Sequence, residues 1–291
     1  MERALNRWHQ TRRLRATTGL VILMHLLAVA GIVHLALNFS WQTLTLGVVW
    51  YLFCGLSITA GYHRLFAHCS YKAAGWLRAF WLAFGAAAIQ RSALKWCSDH
   101  RVHHRFCDQK IDPYSVTHGF WWAHMGWVIS EETKRDVPTP RDLQNDRLVK
   151  FQDDHWMTLA ILFGAVIPLG LGFLWGDPIG ALLVAGFTRT VVAWHSTAAV
   201  NSFAHRFGRQ TYSKSESARD SFWVALLTFG EGYHNFHHRF QADYRNGVRW
   251  WHFDPTKWTV FGFSLFGVTK DLKRMPREVI LAAKSEAAAN P

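Results

Sequence analysis

The stretch that decides the fold is residues 16–62, ATTGLVILMHLLAVAGIVHLALNFSWQTLTLGVVWYLFCGLSITAGY, which contains no Asp, Glu, Lys or Arg. A transmembrane helix needs roughly 20 mostly apolar residues. This stretch is therefore long enough for two spans, and the polar residues 38–42 are the predicted turn between them. A cleaved signal peptide is the alternative for its first half. However, that apolar region is too long, and no small-residue cleavage site precedes the second half.

A second apolar block covers residues 157–205 and predicts another hairpin, with helices near 157–175 and 179–203. It is interrupted by WGDP at 175–178 and by Arg189. A charge near the middle of a span is costly and usually faces the protein interior, so we expect Arg189 to have a buried structural partner. The apolar stretch at 74–95 contains Arg78 and Arg91 and is too short to span. It predicts an interfacial or buried amphipathic helix.

The charge distribution predicts the topology. Residues 1–15 carry five arginines against one glutamate, whereas both predicted hairpin turns lack Lys and Arg. The positive-inside rule then places the N-terminal segment 1–15 and the regions 63–156 and 204–291 in the cytoplasm, with hairpins at 16–62 and 157–203. The predicted fold is an all-α, multi-pass membrane protein with four transmembrane helices in two hairpins and a cytoplasmic helical cap.

The formal net charge of +12 permits a nucleic-acid partner. With four predicted spans, anionic lipid head groups, phosphate-bearing substrates or an acidic electron carrier explain it better, so we expect no nucleic-acid partner. The four cysteines show no CxxC spacing and are expected to be free thiols in a reducing compartment; they are Cys54, Cys69, Cys97 and Cys107.

Eight of the 17 histidines lie in three short motifs, HRLFAH at 63–68, HRVHH at 100–104 and HNFHH at 234–238. Neutral imidazole is a common ligand for transition metals, and a mononuclear site uses only three or four protein ligands. The motifs therefore predict at least two metal ions or two separate sites. All three fall on the predicted cytoplasmic side, although the topology was inferred without them.

The spacing within each motif predicts how its rings are arranged. On a helix, H-x-x-H-H places three imidazoles on one face, so two such triplets can face each other across a pair of metals. His63 and His68 are five residues apart, which a regular α-helix would splay by roughly 140°; we expect this pair to straddle a helix end. Asn201 and His205 share a face at the end of the last predicted span and form a weaker candidate. Hydrogen-bonded or surface imidazoles are expected for His9, His25, His34, His118, His124, His155, His195 and His252.

Together with their neighbours, these motifs resemble the membrane-bound fatty acyl desaturases, nearest the Δ9 branch of stearoyl-CoA and bacterial acyl-lipid enzymes. The resemblance covers about residues 50–265 as one integrated domain. It is carried by GYHRLFAHCSY at 61–71, DHRVHH at 99–104, DPYS at 112–115, GFWWAHMGW at 119–127, NSFAH at 201–205 and GEGYHNFHH at 230–238.

The resemblance implies a non-haem di-iron centre held in the cytoplasmic cap, with Asn201 holding a water on one iron. No residue beyond the metal ligands is expected to be catalytic. The implied histidine ligands are His63, His68, His100, His103, His104, His205, His234, His237 and His238.

The implied reaction is the O2-dependent insertion of a cis double bond, at Δ9, into a saturated acyl chain. Since one double bond accounts for only two of the four electrons that O2 takes up, two more must come from outside. The chain shows no haem-binding or iron–sulfur cysteine motif, so the expected donor is a separate acidic protein, a ferredoxin or a b-type cytochrome, with its reductase. The expected location is the inner membrane of a bacterium.

The acyl carrier stays open at this point. Animal acyl-CoA members of the family have an arginine immediately before the aspartate of the second motif, where this chain has Ser98 before Asp99. CoA, phospholipid and carrier-protein esters are all compatible with the sequence, and the basic face favours acyl-CoA. Expected substrate contacts are Trp96, Asp99 and Arg101, and residues 46–57 are expected to limit the chain length.

Two alternatives are weighed against a desaturase. A membrane hydroxylase or ketolase would use the same metal centre but would add oxygen to the chain. A non-enzymatic haem- or metal-binding electron carrier would need paired histidines deep in facing spans, which His25 and His34 of one predicted helix do not obviously supply.

Overall fold

The structure, a computed structural model, describes residues 2–130 and 137–289, with side chains from Arg15 onward. Parts of the predicted segments 1–15, 63–156 and 204–291 therefore lie outside the described residues. The same holds for the side chains of most of the N-terminal arginines.

The described residues are mostly helical. The α-helices are α1 (Glu2–Leu37), α2 (Trp41–Leu56), α3 (Gly75–Ala87), α4 (Ala93–Arg105), α5 (Phe120–His124), α6 (Arg141–Gln144), α7 (Arg147–Ile161), α8 (Ile167–Gly172), α9 (Pro178–Ala181), α10 (Arg189–Ser202), α11 (Phe222–Leu227), α12 (His234–Arg239), α13 (Pro255–Leu265) and α14 (Arg277–Ala289). Segments of π-helix cover Ser57–Ala67, Leu162–Val166 and Leu182–Thr188, and 3-10 turns cover Val116–His118, Gly126–Ile129 and Phe173–Trp175. Two short strands, β1 (Lys72–Ala73) and β2 (Thr269–Lys270), pair antiparallel.

Within the described residues, three helices are long and apolar enough to cross a membrane: Arg15–Leu37, Trp41–Ala67 and Arg147–Trp175. They confirm a helical membrane protein. The fourth predicted span is present as continuous helix from Pro178 to Ser202, but it is not among these three. Its charged and polar residues, such as Arg189, lower its hydropathy, and its role as a span stays a prediction.

Both predicted hairpin turns are found where the sequence placed them. The first lies between Leu37 and Trp41. The second turns at Gly176, whose φ of +76° favours glycine. Asp177 then caps the next helix by accepting from the Gly180 amide at 2.9 Å.

Asp177 also joins the two turns to each other. One oxygen of its carboxylate lies 3.0 Å from His34 Nε2, and the other accepts from the Thr43 hydroxyl at 2.6 Å. Trp175 Nε1 donates to the same Thr43 hydroxyl at 3.0 Å. These hydrogen bonds connect the two hairpins at the end remote from the histidine motifs.

The stretch at 74–95 forms α3, which contributes Leu77, Trp81 and Leu82 to the core and packs on the 57–67 helix and on α7. Gly85 allows this approach, because a Cβ there would collide with the Tyr62 ring. The predicted amphipathic helix is therefore found with one face buried in the core.

The buried Arg189 has the structural role predicted for it. Its guanidinium donates at 2.7 Å to the carbonyls of both Ala185 and Ala87, and at 3.5 Å to that of Gly164. Ala185 and Gly164 lie in π-helical segments. The cation thereby ties the second hairpin to the end of α3.

Candidate metal centre

A π-helix explains the spacing of the first histidine motif. The α2 helix continues as π-helix from Ser57 to Ala67, and the His68 amide donates to the His63 carbonyl at 3.1 Å. Such an i→i+5 turn aligns residues that are five apart. The pair straddles a helix end at His68, as predicted, and the π-turn before that end brings the two rings together.

The two H-x-x-H-H triplets lie on helices, as predicted, on α4 and α12. Each triplet is divided between two groups of ligand atoms. The first group consists of His63, His68, His100, His104 and His237, and the second contains His103, His205 and His238 with Cys107. Within each group, all ligand atoms lie within 4.8 Å of one another.

His234 completes the second group. Its Nε2 lies 3.1 Å from His205 Nε2 and 3.0 Å from His238 Nε2. The structure thus brings together all nine histidines that the sequence singled out, and every one except His68 is buried.

Two buried carboxylates orient rings of the centre. His63 Nδ1 lies 2.8 Å from Glu231, and His103 Nδ1 lies 2.9 Å from Asp112. Burial alone would raise the pKa of Glu231, but the charge of Arg64 and the hydrogen bonds from His63 and Arg64 outweigh it and lower this pKa. An ionised carboxylate only accepts hydrogen bonds, so Nδ1 of each ring carries the hydrogen and Nε2 keeps its lone pair.

Two further rings are held in the same way. His238 Nδ1 lies 2.6 Å from Glu216. His205 Nδ1 lies 2.7 Å from the hydroxyl of Ser217, which itself donates to Asp108 at 2.6 Å. That hydroxyl must therefore accept from His205, whose Nε2 lone pair is again directed inward.

These inward lone pairs indicate a site for cations. His63 Nε2 lies 2.9 Å from His237 Nε2, and the Nε2 atoms of both His205 and His238 face that of His234. The buried His103 Nε2 has no hydrogen-bond partner among the described residues. Ring nitrogens crowded in this way repel unless a proton or a cation lies between them, so the donor set fits metal ions.

The environment also keeps the imidazoles neutral, as metal ligation requires. Burial, followed by repulsion from other histidines of the centre, holds seven pKa values well below the ordinary histidine value. The seven residues are His68, His100, His104, His205, His234, His237 and His238.

Cys107 lies in the second group but is a poor ligand. Burial raises the pKa of its thiol, and the charges of Asp108 and Glu216 raise it further. A neutral thiol binds metal far more weakly than a thiolate does. His234 is therefore the better fourth donor, and Cys107 is a free thiol, as the sequence predicted.

A cavity of about 800 Å³ adjoins the centre at His63, His100, His103 and His234. Its wall is largely apolar and includes Tyr51, Gly55, Ile58, Val128 and Phe229. Tyr51 and Gly55 belong to the range 46–57 that the sequence suggested for limiting the chain length. The cavity is large enough for an extended apolar ligand with one part against the histidines.

The predicted substrate contacts are divided between two places. Trp96, which stacks on His100 with ring centroids 4.8 Å apart, lines the large cavity, as does Asp99. Asn201, which was predicted to hold a water on one iron, lines the same cavity. Arg101 is not among the lining residues. It donates to Asp142 at 2.7 and 2.8 Å and borders a second cleft.

Sequence reasoning assigned no role to the residues that accept hydrogen bonds from Nδ1 of the histidine ligands. Asp112 and Glu231 stand inside quoted motifs, nine residues after His103 and three before His234, so a carboxylate close to a histidine motif was the available signal. Glu216, Ser217 and Asp108 follow no local pattern. Only the folded chain brings them to His205 and His238.

Asp112→Asn is expected to weaken metal binding by about 10–100-fold, because a neutral amide no longer fixes the tautomer of His103. Competition with a chelator, followed by the metal content, measures this affinity. Asp142→Asn makes the same chemical change at an exposed carboxylate and should leave the affinity unchanged. Equal affinities for the two variants would contradict this role of Asp112.

The chain matches a known protein family. The family model described as "Fatty acid desaturase" matches residues 39–267. The chain is 44% identical over 238 residues to "Probable acyl-CoA desaturase" of Schizosaccharomyces pombe, covering 81% of this chain and 50% of that protein. It is 39% identical over 285 residues to "Acyl-CoA desaturase 1" of Saccharomyces cerevisiae, covering 95% and 54%. It is also 35% identical over 264 residues to "sn-1 stearoyl-lipid 9-desaturase" of Synechocystis, covering 88% and 80%.

The chain thus spans about half the length of the two fungal relatives and most of the cyanobacterial one. The family match covers all three histidine motifs, both predicted hairpins after residue 39 and the walls of the large cavity from Tyr51 onward. On these grounds, the chain belongs to the fatty acid desaturase family.

Proposed function

We propose that this protein is an O2-dependent fatty acyl desaturase that inserts a cis double bond at Δ9 into a saturated acyl chain. The observation that carries the proposal is the largely apolar cavity that ends on four histidines of the nine-histidine centre. A long saturated chain suits such a wall, and its reacting carbons would lie against the centre.

The proposed cofactor is a pair of iron ions. One would be held by His63, His68, His100, His104 and His237; the other would be held by His103, His205, His234 and His238, with a water positioned by Asn201. When bound, these ions would supply the redox chemistry that couples O2 reduction to the removal of two hydrogens from the chain.

The residues of this chain contribute position and exclusion of water. The cavity wall at Ile58 and Phe229 holds the acyl chain in one path, which decides the carbons that reach the centre. Glu231 and Asp112 keep the orientation of His63 and His103 fixed before any substrate enters. No protein side chain is needed as an acid or base for removing hydrogens from unactivated methylenes.

The proposed topology rests on the two hairpins and on the arginine-rich N-terminal segment. Pro178–Ser202 would be a fourth span beside the three apolar helices, and the histidine centre would lie in a cytoplasmic cap with both chain ends. The inner membrane of a bacterium is the proposed location. The acyl carrier would be CoA or a lipid, since names of both kinds occur among the relatives.

The electron source would be a separate acidic protein, a ferredoxin or a b-type cytochrome, together with its reductase. The net charge of +12 suits such a partner. The same charge would attract anionic lipids of the bilayer that holds the protein.

The test is the fatty-acid profile of a desaturase-deficient host that expresses this chain together with a donor. Gas chromatography–mass spectrometry after double-bond derivatisation is expected to show new Δ9 monounsaturated acids. New hydroxy acids would instead assign a hydroxylase, and a Soret band in the purified protein would assign a haem carrier. If two irons per chain were bound but donor-reduced protein left both acyl-CoA and acyl-lipid unchanged, the proposal would be wrong.

A further inference from the structure

A second cleft reaches the histidine centre away from the large cavity. It has a volume of about 370 Å³ and is lined by Ala67, His68, Arg101, His104, Arg105, Gln241 and Ala242. His68, the one half-buried histidine of the nine, belongs to this cleft. Through it, two rings of the first group are close to the protein surface.

The large cavity and the cleft contact different histidines of the centre. The large cavity meets His63, His100, His103 and His234, whereas the cleft meets only His68 and His104. None of the described residues lines both. An acyl chain in the cavity would therefore leave the cleft free during turnover.

The proposed reaction needs such a second approach. Its balance is –CH2–CH2– + O2 + 2 e⁻ + 2 H⁺ → –CH=CH– + 2 H2O, in which the methylene pair and the donor are oxidised and O2 is reduced. Protein carriers of the ferredoxin and b-type classes deliver one electron at a time, so a carrier must dock twice per turnover. Because electron transfer slows steeply with distance, docking is most effective where the ligands approach the surface.

The charges at the cleft favour an acidic partner. Among the residues that the structure describes, two arginines and no carboxylate line it. Arg101 is held in place by Asp142 and by the carbonyls of Phe66 and Ala67. Arg105 is exposed and has no carboxylate partner among the described residues, so its charge is available to an acidic binding partner.

We propose that this cleft is the docking point of an acidic one-electron carrier protein, with Arg105 as its main electrostatic contact and His68 and His104 as the entry to the centre. The inference rests on the proposed function, because only a redox centre needs a carrier. Electrons would then enter the centre through the cleft, and the acyl chain would occupy the large cavity.

The test compares Arg105→Glu with Arg277→Glu in the iron-loaded protein. Both variants lower the net charge from +12 to +10, but the exposed Arg277 lies on α14, outside the cleft. Stopped-flow spectroscopy would follow reduction of the irons by reduced [2Fe–2S] ferredoxin, by reduced cytochrome b5 and by dithionite. With the better protein donor at low salt, Arg105→Glu is expected to lose about tenfold or more in second-order rate constant. Arg277→Glu should change this constant less than twofold.

Dithionite and high salt separate docking from damage to the centre. Dithionite should reduce both variants at the wild-type rate, and the loss in Arg105→Glu should shrink as salt rises. Ala242→Trp, which fills the cleft without changing charge, should slow the protein donors but not dithionite. Equal rates for the two arginine variants, or no reduction of wild-type protein by either donor while dithionite succeeds, would overturn the proposal.

Failure of the docking proposal and failure of the proposed function can be told apart. The reduction rates are measured without an acyl substrate, whereas the function is judged from the fatty-acid products. Normal desaturation with equal rates for Arg105→Glu and Arg277→Glu would reject the cleft alone. Cleft-dependent reduction without any unsaturated product would reject the desaturase alone.

Discussion

His237→Ala is expected to abolish turnover while leaving a folded membrane protein. His237 Nε2 lies 2.9 Å from His63 Nε2 and 3.0 Å from that of His104, so this ring links the first and second histidine motifs within one group. Without this ring, the first group keeps four imidazoles, and the buried site contains a gap where the fifth ring lay. The effect should exceed the roughly 10–100-fold loss typical of residues behind the ligands.

Two measurements on purified protein check this expectation: iron per chain and product formed per minute. Iron should fall well below that of the wild type, and product should drop by more than about 100-fold. His155→Ala is the control, because His155 is exposed and lies in none of the metal-ligand groups. Wild-type turnover in His237→Ala would refute the di-iron assignment.

Local patterns in the sequence predicted the main elements of the fold. A charge-free run such as 16–62 is long enough for two spanning helices, and the glycine and proline of the 175–178 turn end one helix and begin the next. Likewise, i, i+3, i+4 spacing places histidines on one helical face whatever the tertiary structure.

The rest depended on contacts that no local pattern encodes. The π-helix at 57–67 was missed because α-helical geometry was assumed, although the five-residue spacing of His63 and His68 is the spacing that an i→i+5 turn aligns. The division of each triplet between two metal groups follows from how α4 and α12 meet. The separation of Arg101 from Trp96 follows from its pairing with Asp142, which is 41 residues away.

A buried ionic network lies behind the first histidine motif, and one of its carboxylates binds a histidine of the metal centre. The Arg64 guanidinium donates to Glu231 at 2.9 Å and to Asp254 at 3.0 and 3.2 Å. Glu231 in turn accepts from His63. Asp254 belongs to the segment WWHFDPTKW at 250–258, so one arginine connects the C-terminal part of the chain to a histidine of the centre.

Arg64→Ala is expected to lower the free energy of unfolding by about 3–5 kcal/mol, because it leaves Glu231 and Asp254 buried without their cation. Thermal unfolding in detergent and iron content would both report the loss. Arg239→Ala is the control: Arg239 forms an exposed ion pair with Glu286, and its removal should cost no more than about 1 kcal/mol. Equal costs for the two alanine variants would show that the network contributes no more than a surface pair.

Arg64→Lys separates charge from geometry in the same network. Lysine restores the positive charge but not the fork that reaches two carboxylates and the Tyr244 carbonyl together. We therefore expect it to recover part of the stability and less of the iron content, since Glu231 would still be free to turn away from His63. Full recovery of both would mean that a buried charge alone, wherever its donors point, keeps His63 ready to bind metal.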